Sequence, residues 1–395
     1  MSSVILDSSL PRSDPGAGTT PEFRTRDLRL DFFRGWALWF IFIDHVPSSQ
    51  LGTLTFRNFG LSDATEIFVF ISGYSAALVY GRVLQRSGFR FMAASVLRRC
   101  WQLYVAHIVL CVFFVAQIAF VAARFDNPMF IEELNIRRFI ERPDVALMEA
   151  LVLHFRPVNL DILPLYMALL LGLPPVLWAI RRSPFTVLLV SAVVYAGVQR
   201  FGWTLPVYAD GDVWFFNPLG WQFLFVLGAL CADRPPFYEP LARRRGWLIG
   251  VAVGFLLFSF FLVLSWRWPQ LEALVPGWLG DLLYPIDKTN LDVLRLLHFL
   301  AVAYLIAQYV PRDAAFLRWR VWRPVVLCGQ HSLYVFCLGI YLSFAAHFVL
   351  VQFSDALPMQ VLVIGTGLAL MTALAGLLHW YRAGATQPAA SRQID

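Results

Sequence analysis

The sequence predicts an all-α polytopic membrane protein with about ten transmembrane helices and both termini in the cytoplasm. Three observations carry this expectation. The 395 residues are 58% hydrophobic and only 15% charged, where soluble domains run to about 45–50% and 25%. Apolar runs long enough to cross a hydrocarbon core of about 30 Å recur along the chain. Basic residues, nearly all of them arginine, gather in alternate links between those runs, which is how cytoplasmic loops are marked.

Residues 1–27 are rich in Ser, Pro and Gly and lack an apolar centre, so they read as a disordered cytoplasmic tail and not as a signal peptide. The transmembrane domain is expected over 28–382, with a second cytoplasmic tail at 383–395. Spans are expected near 30–47, 63–80, 100–123, 161–180, 185–201, 217–232, 247–266, 291–310, 324–350 and 357–380. The runs at 63–80 and 217–232 are short, and 324–350 is long enough to tilt or bend. The inside links then hold Arg24, Arg26 and Arg29, then Arg82 to Arg99, Arg181 and Arg182, Arg234 with Arg243–Arg245, Arg312 to Arg323, and Arg382.

The outer links differ in character. Residues 124–160 form a long charged segment, suited to an interfacial helix that covers a cavity. Residues 202–217 and 267–290 mix aromatic side chains with carboxylates and amides. That mixture fits an interfacial aromatic belt, and it also fits sugar binding. The five cysteines sit in or beside apolar runs without metal-ligand spacing, so they read as small buried hydrophobes. No Gly-rich phosphate loop, nucleophile elbow, metal cluster or nucleic-acid-binding pattern is present in the sequence.

The first span carries charge where lipid is expected. In LRLDFFRGWALWFIFIDHVP, Arg34 and His45 are eleven positions apart, which at about 100° per residue puts them within about 20° on one helix face. The rise separates them by roughly 16 Å along the axis. Asp31 lies near the same line. Intramembrane ionisable groups are costly and face a partner or a polar cavity. An Asp31–Arg34 bridge would satisfy the pair locally. The functional alternative makes His45 a general base for a hydroxyl nucleophile and Arg34 an anchor for an anionic group.

The second span opens with Asp63 and Glu66, a D-x-x-E capping box that by itself explains both residues as a helix start. A catalytic imidazole also needs an orienting carboxylate, and these two begin the second span on the side where His45 ends the first. Glu66 is the favoured partner of His45, and Asp63 the reserve. Ser72–Gly73 would let helices approach closely.

Further polar positions fall within or beside spans. Arg98 and Arg99 at the inner end of the third suit phosphate binding or stop-transfer anchoring. Asp292, Arg295 and His298 share one side of the eighth span, as an internal bridge or as a channel lining in which Arg295 receives a carboxylate. Asp161, Asn217, Trp221 and Gln222 at outer span ends, together with Asp287, Lys288 and Asn290, are candidates for contacting an acceptor substrate.

The motif LDFFRG…DH followed by EIFVFISG resembles the membrane acyltransferase-3 superfamily, and the chain resembles its OpgC branch more closely. FRNFGLSDATEIFVFISG, NLDILPLYMALL, FFNPLGWQFLFVLG, DKTNLDVLRLLHFLAVAYL and CGQHSLYVFCLG carry that resemblance in order along the chain. The resemblance implies a succinyltransferase of osmoregulated periplasmic glucans, in the bacterial inner membrane. It would move an acyl group from cytoplasmic acyl-CoA, as succinyl-CoA, to a glucan hydroxyl on the periplasmic side. It further implies His45 as the base with Arg34 as its motif partner, and acyl-CoA as a co-substrate without a tightly bound cofactor. One departure stands out: where the superfamily has R-x-x-R, this chain reads Arg99-Cys-Trp-Gln102.

The partners expected are therefore the glucan, the acyl donor and membrane lipids, without nucleic acid, and the sequence is compatible with a homodimer. Two other readings use the same residues. A secondary transporter of a small dicarboxylate would also place Arg34, Arg295 and a protonatable His–Glu pair in the membrane, although no internal repeat is present. The same chemistry with an acetyl donor or another glycan acceptor would leave the site residues unchanged.

Overall fold

A computed structural model describes residues 27–47, 49–205, 214–233 and 246–385. The expected tails lie outside the described residues except for Asp27 and 383–385. So do Arg234, Arg243–Arg245 and the centre of the 202–217 link.

The described residues form helices without strands. The principal helices are α1 (Leu28–Asp44), α2 (Ala64–Arg124), α3 (Ile162–Ile180), α4 (Pro184–Phe201), α5 (Pro218–Asp233), α6 (Gly246–Ser265), α7 (Val293–Tyr309), α8 (Arg323–Gln330), α9 (Ser332–Gln352) and α10 (Leu357–Ala385). Each expected apolar run lies largely within one of them, with two exceptions. The runs at 63–80 and 100–123 share α2, and 324–350 divides at His331 between α8 and α9. Stretches of α2, α3, α4, α6, α9 and α10 are long and apolar enough to cross a membrane, and α5 and α7 are shorter apolar helices. Trp247, Val251 and Leu257 on α6, and Val361, Leu362 and Leu377 on α10, stand exposed, as side chains facing acyl chains would.

The arginine-rich link after the second run remains helical, because it lacks proline and is made largely of residues that tolerate the helix. Only Gly88 interrupts it, at φ 78° and ψ 178°. That left-handed backbone favours glycine and lets the two halves of α2 take different directions. The long link at 124–160 folds into three short helices, Met129–Glu133, Arg137–Glu141 and Pro143–Leu151. Phe130 buries its ring against Phe344 and His347 of α9, and Glu133 Oε2 pairs with His347 Nε2 at 2.9 Å.

Glycines set the closest helix crossings. A Cβ on Gly73 would fall 2.1 Å from the Phe225 carbonyl oxygen, and one on Gly228 would fall 2.3 Å from that of Phe70. Helices α2 and α5 therefore meet backbone to backbone, the small-residue packing that membrane helices favour. Gly35 and Gly329 do the same for α1 and α8, against the carbonyls of Val325 and Asp31.

Candidate active site

Helix α1 runs antiparallel to the first half of α2. Arg34 Nη2 donates to Ser75 Oγ at 2.6 Å and approaches the Ile71 carbonyl at 3.4 Å. His45 caps the C-terminal end of α1, its backbone N–H reaching Ile41 O at 3.1 Å. The adjacent Asp44 accepts from Thr55 Oγ1 at 2.6 Å and lies 3.6 Å from Arg57 Nε. These contacts fix the backbone on both sides of the imidazole. The ring's Nδ1 is buried without a hydrogen-bond partner among the described residues.

At the same end of the bundle, α2 opens with the predicted capping box. Asp63 Oδ1 accepts from Thr65 N at 2.7 Å, and Glu66 Oε2 accepts from Asp63 N at 2.8 Å. The remaining oxygens face cations. Asp63 Oδ2 receives Lys288 Nζ at 2.6 Å and Arg295 Nη2 at 3.0 Å, and Glu66 Oε1 receives Arg295 Nε at 2.9 Å. Two buried carboxylates are thus matched by two cations supplied from the start of α7 and the link before it. Such a cluster holds together because every charge is paired and hydrogen-bonded.

Among the described residues the Glu66 oxygens accept from the Asp63 amide and from Arg295, and no hydrogen bond joins Glu66 to His45, so the expected His45–Glu66 dyad is not formed here. Asp63, Lys288 and Arg57 are the charges within electrostatic reach of His45. Arg295 is likewise committed to Asp63 and Glu66 and not to Asp292. Asp292 instead caps α7 by accepting from Leu294 N at 2.7 Å.

His298 is buried one turn further along α7. Its Nδ1 accepts from Ser62 N at 3.3 Å and pairs with Ser62 Oγ at 2.7 Å. An Nδ1 that accepts from a backbone N–H leaves the ring proton of a neutral imidazole on Nε2. That nitrogen packs against Gly60, where a Cβ would come within 1.9 Å.

Most of the expected acceptor contacts belong to the scaffold. Asn217 Nδ2 donates to Asn290 Oδ1 at 2.8 Å and to Trp203 O at 2.7 Å, and Trp221 Nε1 donates to Thr289 O at 3.1 Å. Asp287 accepts from Thr289 N and from Asn290 Nδ2, at 2.7 and 2.6 Å. Gln222 exchanges two hydrogen bonds with Ser191 of α4, at 2.6 and 2.9 Å. Asn217 and Trp221 hold the 287–292 turn against α5, which positions Lys288 and Arg295, and Gln222 ties α5 to α4. Asp161 lies 3.6 Å from Arg156 Nε, and Asp31 is buried with its carbonyl against Gly329.

At the opposite end, Arg98 is exposed and Arg99 Nη1 donates to Gln102 Oε1 at 3.3 Å. Gln102 is therefore a hydrogen-bond partner of Arg99. Arg34 and Arg99 both lie within electrostatic reach of the half-buried Tyr166, so α1 and the second half of α2 direct positive charge to one region. Sequence reasoning missed Thr55, Arg57, Ser62 and Ser75. Each is an ordinary polar residue whose importance comes only from what it touches.

The fold and this site define a helical membrane protein with a buried, charge-balanced cluster beside a histidine at one end of its bundle. The family model for the OpgC protein matches residues 26–383, and the chain belongs to that family. No curated protein and no solved structure matches the chain.

Proposed function

We propose that this protein is a membrane O-acyltransferase. It moves a succinyl group from cytoplasmic acyl-CoA to hydroxyls of a periplasmic glucan, with His45 as the general base. The observation that carries the reading is the setting of His45 in a member of this family. Its ring has an uncommitted nitrogen, and it stands beside the charge-balanced cluster, with Lys288, paired to Asp63, and Arg57, beside Asp44, as the cations acting on it. Asp63, the reserve partner of His45, is the carboxylate whose charge acts on the imidazole.

In the proposed step, a glucan hydroxyl gives its proton to His45 as its oxygen attacks the thioester carbonyl. Lys288 and Arg57 supply positive charge to the developing oxyanion. The C–S bond then breaks, and the imidazolium returns the proton to the departing thiolate, giving the ester and free CoA. Arg34, Arg98 and Arg99 favour the anionic donor from the other end of the bundle.

The test uses purified protein in proteoliposomes, with labelled succinyl-CoA on one side and neutral glucan on the other. Label on the glucan with wild type, and loss of it with His45→Ala and Arg34→Ala variants that remain folded, is expected. Labelled succinate crossing without ester formation would replace the enzyme by a dicarboxylate transporter. Full ester formation by His45→Ala would remove His45 from the mechanism.

A further inference from the structure

Most polar residues that the sequence offered for an acceptor serve the scaffold, and the large side chains left open near the cluster are aromatic. Trp266 directly follows α6, and Tyr284 directly follows the short helix Gly277–Leu283. Trp266 Nε1 donates to the Tyr284 hydroxyl, and the two ring centroids stand 6.2 Å apart with the planes at 54°. The residues nevertheless remain 51% and 42% exposed. Phe59, also exposed, stacks on Phe260 of α6 at 6.2 Å and 11°.

Two sets of contacts join this surface to the candidate site. Arg267 Nη2 donates to Asn58 Oδ1, and Asn58 Nδ2 donates to Thr55 Oγ1 at 3.2 Å. Thr55 Oγ1 in turn donates at 2.6 Å to Asp44, the neighbour of His45. The second set is an apolar cluster of Leu61, Leu262 and Val263, with Leu283, Ile286 and Leu294 packed against it. Leu61 stands two positions before Asp63, Leu283 precedes Tyr284, and Leu294 precedes Arg295. The aromatic pair is thereby fixed to the elements that supply the carboxylates and the guanidinium.

Aromatic residues at a membrane boundary ordinarily form a belt whose polar ends meet the headgroups. Here the indole N–H is turned to the neighbouring phenol, so ring faces are presented. An aromatic face carries partial negative charge, which suits the C–H face of a pyranose. Arg57 and Arg267, both exposed, and Lys288, partly exposed, stand around it with N–H groups that suit sugar hydroxyls.

We propose that Phe59, Trp266 and Tyr284 form a platform on which sugar rings of the glucan acceptor stack, with Arg267 and Asn58 ordering its edge. The identity of the acceptor rests on the acyl-transfer reading above. The platform holds the chain at the end of the bundle where His45 lies.

The experiment measures ester formation and, separately, glucan binding without donor, by the full-length protein in nanodiscs. Trp266→Ala and Tyr284→Ala each remove a ring, and Trp266→Phe keeps a ring without the N–H. Trp247→Ala, at the other end of α6, represents an exposed aromatic facing lipid. Calorimetry with neutral glucan is expected to show binding weakened about tenfold or more in both alanine variants. The KM for glucan should rise to match, with kcat and the KM for succinyl-CoA unchanged. Trp266→Phe should recover most of the affinity, and Trp247→Ala should bind as wild type does. Unaltered glucan affinity in both alanine variants, with only a loss of stability like that of Trp247→Ala, would assign the surface to the lipid interface and overturn the proposal. Glucan bound by wild type and weakened in these variants, without any ester formed, would end the transferase reading and leave the platform standing. Ester formed by both variants at an unaltered KM would remove the platform alone.

Discussion

Lys288 Nζ lies 2.6 Å from Asp63 Oδ2, an oxygen that also receives Arg295 Nη2 at 3.0 Å. The two cations are not equivalent. The Arg295 side chain is 11% exposed and bridges two carboxylates, while that of Lys288 is 35% exposed and serves one. Lys288→Met is therefore expected to leave the protein folded, because Arg295 still neutralises Asp63. Ester formation should fall by about tenfold or more, because positive charge beside His45 is lost. Turnover measured alongside thermal unfolding tests both halves, and an unchanged rate would take Lys288 out of the reaction.

Arg295→Met leaves Asp63 and Glu66 buried with one cation between them. Breaking such a pair costs about 3–5 kcal/mol, so a large fall in unfolding temperature is expected. Adding Glu66→Gln should recover part of it, because the second uncompensated charge is removed. A single variant as stable as wild type would show that the cluster is not holding α2 to α7.

His45→Gln is expected to lower ester formation by about 10²–10⁴-fold, the usual contribution of a positioned base. Stability should change little, since the ring's Nδ1 makes no hydrogen bond among the described residues. The comparison is between turnover and the unfolding curve in the same detergent.

Asn217→Ala and Gln222→Ala separate scaffold from substrate contact. Each removes buried hydrogen bonds between elements, at a cost of about 1–3 kcal/mol. The expected result is lower stability with an unaltered KM for glucan. A raised KM at full stability would return these residues to the acceptor site.

Gly73→Ala forces a methyl group toward the Phe225 carbonyl oxygen. Overpacking of this kind costs about 1–3 kcal/mol. Lower thermal stability is expected, while Gly250→Ala, where an added Cβ meets nothing within 4 Å, should be tolerated.

The sequence by itself determined the helical class and the approximate place of the apolar runs, because mean hydropathy and run length act locally and every membrane helix must satisfy its own backbone. It also determined the Asp63–Glu66 capping box, which needs only four consecutive residues, and the placing of Arg34 on the first helix; the structure ends that helix at Asp44 and puts His45 at its C-cap. The tertiary structure alone decided who pairs with whom. Glu66 faces Arg295 and not His45 because α7 brings a guanidinium more than two hundred residues away in the chain to the start of α2. Asn217 and Gln222 serve the scaffold because the 287–292 turn and Ser191 reach them first. Hydrogen bonds and ion pairs are settled by distances of a few ångströms between elements remote in sequence, and no local pattern encodes those distances.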